Sequence, residues 1–186
     1  MKFKHLNLTN LDLDTMKSKT GAASDFIRTD EFFTLKSFQN GWNSNSFTTC
    51  LGEVVLLRAS ANPTLVKTFN FTSLKFTGGR LVFQMEVMAF GLWTGESMYV
   101  KVDNAIMWTS SMNTQSISNA ITALNAKCAA TAGGTPDDVI LQSLEIWWAA
   151  PKNATSVKVE IGSFFTMSEL QSATFGLKKL NLNVVE

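Results

Sequence analysis

The sequence of 186 residues is poor in charge, histidine and cysteine. Charged residues make up 17% of the chain, against roughly 25% in an average soluble domain, and the net charge is +1. So small a net charge gives no electrostatic attraction to nucleic acid or to an anionic membrane. One histidine and two cysteines exclude a His-cluster or Cys-rich zinc site. We therefore expect no metal and no cofactor.

Long apolar segments are also missing. No run approaches the 18 to 20 apolar residues of a membrane span, so membrane insertion is not expected. The first ten residues include basic side chains but no apolar block behind them, which excludes a signal peptide in this numbering. Either the protein is not secreted, or the numbering begins after processing.

The residue sets of common enzymes are absent as well. Any Ser-His-Asp or Cys-His arrangement must use His5, which lies in a polar terminal segment away from both cysteines. No glycine-rich phosphate loop occurs. The strand-associated acids are expected to point to solvent from outer sheet faces; they are Glu86, Glu96, Glu145 and Glu160. The sequence therefore predicts a protein that is not an enzyme.

Alternation of apolar and polar residues is the clearest positive signal. Over residues 81–90, one face carries Leu81, Phe83 and Met85, and the pattern repeats in 156–165 and 174–185. Period two at this length is typical of strands with one face in a core. About ten short strands and at most one short helix, near 114–127, predict an all-β fold, a jelly-roll-like antiparallel β-sandwich.

The length fits a single domain over residues 1–186. Residues 1–30 are polar and weakly patterned, and we expect an N-terminal extension or edge strand there. Residues 31–186 form the expected sandwich core.

Two cysteines and three sequons bear on the compartment. Cys50 and Cys128 are far apart in sequence, which is compatible either with two buried free thiols or with one structural disulfide. The sequons at Asn7, Asn70 and Asn153 are glycosylation candidates, although a chain this rich in Asn, Ser and Thr contains about three by chance.

Aromatic residues are abundant, with 14 Phe and 5 Trp. Trp93 lies beside a turn glycine, with Glu96 and Asp103 following, and a loop Trp near carboxylates is a common way to hold a sugar ring. The alternative is that Trp93 closes the end of the sandwich core.

The order of several short motifs resembles the β-sandwich module of extracellular and cell-surface proteins of ciliates and related protists. The matching segments span about residues 31–186; they are Gly41-Trp42, Cys50, Lys67-Thr68-Phe69, Leu81–Ala89, Trp93-Thr94-Gly95-Glu96, Val102-Asp103-Asn104, Cys128, Asp138, Ser156–Ser163 and Ser172–Leu177. The chain departs from the pattern at Gly91 and Thr94, where the family has acids, and at Gly78-Gly79, where it has a histidine. The resemblance implies secretion, a Cys50–Cys128 disulfide and a role without catalysis.

Two functions compete on this basis. The first is a structural subunit, extracellular or at the cell surface, that assembles with itself or with neighbouring proteins, because interfaces are poor in Lys, Glu and Asp and rich in aromatics and Met. The second is a carbohydrate-binding, lectin-like module that presents Trp93, Glu96 and Asp103. The expected partners are therefore proteins or glycans.

Overall fold

The computed structural model describes residues 28–32, 41–50, 52–70, 79–113, 128, 139–151, 154–166 and 173–185. The helix expected near 114–127, residues 1–27, Asn7 and Asn153 lie outside the described residues. Of the three sequon asparagines, Asn70 is described; it ends a strand and its side chain is exposed.

Ten strands make up the described part of the chain. They are β1 (Arg28–Phe32), β2 (Ser46–Cys50), β3 (Glu53–Leu57), β4 (Thr64–Asn70), β5 (Gly79–Gly91), β6 (Thr94–Val102), β7 (Ala105–Asn113), β8 (Val139–Ala150), β9 (Ser156–Ser163) and β10 (Ala173–Val185). The strands predicted over 81–90, 156–165 and 174–185 are confirmed as β5, β9 and β10. The sequence did not predict β2, which begins at Ser46 and pairs with β3.

The strands form two antiparallel sheets that pack as a jelly-roll-like β-sandwich, as predicted. Sheet A has the order β2-β3-β10-β5-β8, and β1 also pairs with β10. Sheet B has the order β4-β9-β6-β7. No helix in the described ranges has the length and apolar character needed to cross a membrane.

The main core lies between the sheets and follows the alternation in the sequence. The β5 residues Leu81, Phe83, Met85, Val87 and Ala89 are 2% exposed or less. They pack against sheet B residues that alternate in the same way, because successive side chains of a strand point to opposite faces.

A second apolar cluster lies on the opposite face of sheet A, which we call its outer face. Its members, here named the outer cluster, are Cys50, Val55, Met88, Phe90 and Val139, with Leu57, Cys128 and Leu141 packed against them. A Cys50–Cys128 disulfide joins this cluster, as the family resemblance implied. One end of the outer face is therefore covered by buried apolar side chains, and the other end carries polar and aromatic side chains.

Candidate functional site

The structure places Trp93 in the main core. Its side chain is 0% exposed, and its indole Nε1 donates to the Phe90 carbonyl oxygen at 3.0 Å. The ring lies against Phe165, with centroids 4.6 Å apart. The prediction that Trp93 presents its ring to a sugar is therefore wrong, and the alternative, that it fills the core, is right.

Glu96 and Asp103 do not form a common site either. The Glu96 carboxylate accepts from the Thr94 backbone N–H and hydroxyl, both at 2.6 Å, and the hydroxyl hydrogen bond is the main cause of its lowered pKa. Asp103 has a positive φ of 46° in the two-residue turn between β6 and β7, and its Oδ1 accepts from Lys158 N–H at 2.8 Å. The two acids lie near opposite ends of β6, about 23 Å apart at about 3.3 Å per residue. Each carboxylate therefore accepts a hydrogen bond from a backbone N–H group: Glu96 from Thr94, and Asp103 from Lys158 on a different strand.

An exposed tryptophan lies instead on the outer face of sheet A. Trp147 on β8 is 48% exposed, and its Nε1 donates to Glu145 Oε1 at 2.9 Å. Gln84, on the neighbouring β5, donates from Nε2 to Glu145 Oε2 at 3.0 Å. We call these three residues the Trp147 patch. Hydrogen bonds from Gln84 and then from Trp147 stabilise the charged carboxylate and lower the pKa of Glu145.

The strand register extends this patch across the sheet. Gln84 lies opposite Glu145 on one side and opposite Asn181 of β10 on the other. Neighbouring strands are about 4.8 Å apart, so the row of polar residues crosses roughly 10 Å of sheet. Val82, opposite Trp147, is only 4% exposed, which fits an indole lying along the sheet and covering it.

An ion-paired lysine lies on the same face, between the patch and the outer cluster. Lys178 occupies a β-bulge of β10, and its Nζ lies 2.7 Å from Glu86 and 2.9 Å from Glu53. Burial opposes the charge of Lys178, but the two carboxylates outweigh it and raise its pKa. Lys178 is the extra residue of the bulge and has no partner residue on β5 in the register, and its ammonium group contacts both acids.

The Trp147 patch is a site that sequence reasoning missed, although a signal for it was present. Trp147 and Trp148 are adjacent in a strand, so one of them must face outward. The register with β5 decides which: Trp148 lies opposite the core residue Leu81, and Trp147 lies opposite Val82.

A second aromatic surface lies on the outer face of sheet B. The Tyr99 ring covers Gly162, where an added Cβ would clash with the ring, and its hydroxyl donates to Glu160 at 3.1 Å. Phe164, which is 61% exposed, covers Tyr99 with ring centroids 5.0 Å apart. Lys101 lies 3.2 Å from the same carboxylate and 4.5 Å from the Tyr99 ring centroid. These contacts bury Tyr99, so this surface offers one open ring, that of Phe164.

Three of the described carboxylates are stabilised in their charged form by hydrogen bonds. The pKa is lowered for Glu96, Glu145 and Glu160; for Glu160 burial opposes ionisation, and bonds from Lys101 and Tyr99 outweigh it. In the described ranges, no group of three or more His, Cys, Asp and Glu side chains is arranged to hold a metal ion. The exposed groups offer hydrogen-bond acceptors and an aromatic ring.

Comparison with protein-family models gives no match, and no curated protein sequence matches. Among solved structures, the chain is similar to part of dimeric latent PorU from Porphyromonas gingivalis, with a TM-score of 0.52 and 11% identity over 86% of this chain. It spans 12% of the PorU chain. At this identity the likeness shows a shared β-sandwich fold alone.

Two carbohydrate-binding modules are also among the similar structures. One is TmCBM27, described by its mannan recognition, with a TM-score of 0.44 and 8% identity over 87% of this chain and 99% of that one. The other is a xylan-binding domain of CBM 22, with a TM-score of 0.42 and 11% identity over 83% of this chain and 93% of that one.

Proposed function

We propose that the protein is a carbohydrate-binding module whose ligand lies on the outer face of sheet A and stacks on Trp147. The observation that carries this proposal is an indole that is 48% exposed beside a carboxylate and an amide. Sugar rings pair an apolar face with a rim of hydroxyls, so an exposed aromatic ring beside hydrogen-bonding groups is complementary to them.

The hydrogen bonds within the patch leave capacity for a ligand. Glu145 accepts one bond on each oxygen, and an ionised carboxylate has about four acceptor sites. Gln84 still has its carbonyl oxygen and a second N–H. The Trp147 N–H is already satisfied by Glu145, so the ring can be covered by a ligand without leaving an unpaired donor.

The patch is also held in place before any ligand arrives. Trp147 and Gln84 lie on β8 and β5, which pair without a register shift from Gly79 to Phe90. Glu145 ties the two side chains together across the strands. Side chains fixed on rigid strands lose less conformational entropy when a ligand binds.

We propose binding without catalysis. A general acid for glycoside cleavage needs a carboxyl group with a raised pKa, and Glu145 has a lowered one. The acids near it on the same face include Glu86, which is engaged by Lys178. These features support a site that holds a sugar.

The proposed compartment is extracellular or the cell surface. Its support is the Cys50–Cys128 disulfide, since structural disulfides persist mainly in oxidising environments. Membership of the ciliate and protist surface modules stays a prediction from the motif order.

The test is binding of the purified protein to a glycan array, followed by calorimetry on the best ligand. Trp147→Ala should weaken binding about tenfold or more, because it removes both the buried area and the stacking term. Phe164→Ala is the matched control, since it removes an exposed aromatic ring from the other sheet. An array without ligands, or equal affinities for Trp147→Ala and wild type, would refute the proposal.

A structural subunit that assembles with copies of itself is the second candidate. The observation that favours it is that β8 pairs with β5 and with no other strand in the described part of the chain, so its second edge is open there.

A further inference from the structure

The strand β8 forms one edge of sheet A in the part of the chain that the structure describes. It has 12 residues and pairs with β5 on one side. A free edge presents a row of backbone N–H and C=O groups that can pair with a strand of another chain. Natural proteins usually protect such an edge with lysine, proline, a bulge or a short strand.

The edge strands of sheet B carry these protective features. β4 has 7 residues and contains Lys67. β7 has a register irregularity opposite Val100 and Lys101. Each feature makes extension of sheet B by another strand less favourable.

The β8 edge has none of them. Its sequence, VILQSLEIWWAA, contains no lysine, arginine, proline or glycine, and Glu145 is its one charged residue. Its pairing with β5 runs without a bulge. A long, straight, weakly charged edge is the type that pairs with another strand.

We infer that β8 pairs antiparallel with β8 of a second copy of this chain, about a two-fold axis through Leu144. A two-fold axis brings the same strand together twice, so the strand must be complementary to itself. An axis through Glu145 would set two like charges directly opposite each other, which is unfavourable. An axis through Leu144 avoids this and sets Leu144 against Leu144.

Most of the remaining pairs of this register are complementary; Gln142 opposite Ile146 of the second copy is the exception. On the outer face, Ser143 lies opposite Glu145 of the second copy, and Leu141 lies opposite Trp147. On the core-facing side, Ile140 lies opposite Trp148; both are half-buried in the single chain. Pairing would bury more of these apolar side chains and satisfy the edge backbone.

The geometry gives a test in which two substitutions at one position act in opposite directions. Ser143 is exposed, so its replacement changes the edge with little effect on the core. Ser143→Lys sets a cation opposite Glu145 of the second copy, and Ser143→Glu sets two anions opposite each other. The dimer contains this pair twice by symmetry.

We would measure the dimer dissociation constant by sedimentation equilibrium on the 186-residue chain. Ser143→Lys should tighten the dimer roughly 2- to 30-fold relative to wild type, and Ser143→Glu should weaken it by a similar factor. Thr68→Lys and Thr68→Glu, at an exposed position of β4, should leave it unchanged.

Because Ser143 also lies opposite Glu86 in its own sheet, the unfolding free energy of each variant is measured separately. A wild-type chain that stays monomeric up to about 100 µM overturns the inference. So does a dimer that responds equally to Ser143→Lys and Ser143→Glu, because its interface then lies elsewhere.

Discussion

Removing the disulfide should lower the free energy of unfolding strongly, and one part of the fold should lose its protection first. The bond joins residues 78 positions apart, so the double substitution Cys50→Ala, Cys128→Ala frees a long loop in the unfolded chain. The chain-entropy model assigns about 4 kcal/mol to a closure of this length. Domains of this kind have about 5–15 kcal/mol of total stability, so the loss is a large fraction of it.

The structure also predicts where the loss is felt first. Cys50 ends β2 and is fully buried in the outer cluster. Among the described strands β2 pairs with β3 alone, and its one further pairing is the bridge from Cys50 to Cys128. β3 in turn shares two register pairs with β10, at Gly176 and Leu177. The β2–β3 pair is therefore the weakly attached edge of sheet A, and the disulfide holds its end.

Two measurements check this prediction. Urea unfolding followed by tryptophan fluorescence should give a loss of about 3–4 kcal/mol for the double variant, and wild type in a reducing agent should match it. Hydrogen exchange under native conditions should lose protection in Ser46–Leu57 and keep it in β5. A loss below about 1 kcal/mol, or deprotection of β5 to the same extent as Ser46–Leu57, would refute the reasoning.

Two further predictions concern close packing on the sheets. Gly176→Ala should cost about 1–3 kcal/mol in urea unfolding, because the added Cβ would lie 2.7 Å from the Leu56 carbonyl oxygen; an unchanged stability would contradict this contact. Burial, and then the Glu160 carboxylate, raises the pKa of Tyr99 to about 12. The folded state then holds a proton that the unfolded state has lost, so stability should fall by roughly 1.4 kcal/mol per pH unit between about pH 10 and 12. Tyr99→Phe should lack this contribution in unfolding measured across that range, and an identical pH profile for the two proteins would contradict it.

The sequence predicted the sandwich because period-two alternation reports which face of a strand is buried. It located β5 through Leu81 and Ala89, and β9 and β10 in the same way. It did not reveal β2, since Ser46-Phe47-Thr48-Thr49-Cys50 follows a run of Asn and Ser and has no alternation of its own. The burial of β2 comes from two contacts. One is its pairing with β3 across a turn, and the other is the contact of Cys50 with Cys128, which is distant in sequence.

The candidate site could not be predicted in the same way. The sequence analysis grouped Trp93, Glu96 and Asp103 because they are close in sequence. A strand, however, moves along by about 3.3 Å with every residue, so residues a few positions apart can lie far from each other. The Trp147 patch depends on Gln84, which is 61 residues away from Glu145 in the chain. Only the register of β5 with β8 brings these two side chains together.

The ion pairs of the described residues are concentrated on the outer faces of the two sheets, away from the β8 edge. Lys178 with its two acids occupies the middle of one outer face, and Glu160 with its lysines occupies the other. The β8 edge is left with Glu145 alone. Interfaces are depleted of charge in this way. The proposed glycan stacks on the Trp147 ring, whereas the second copy pairs mainly through the backbone edge of β8 and places its Leu141 beside Trp147. Ser143→Glu should therefore weaken self-association while glycan binding persists, which separates the two proposals.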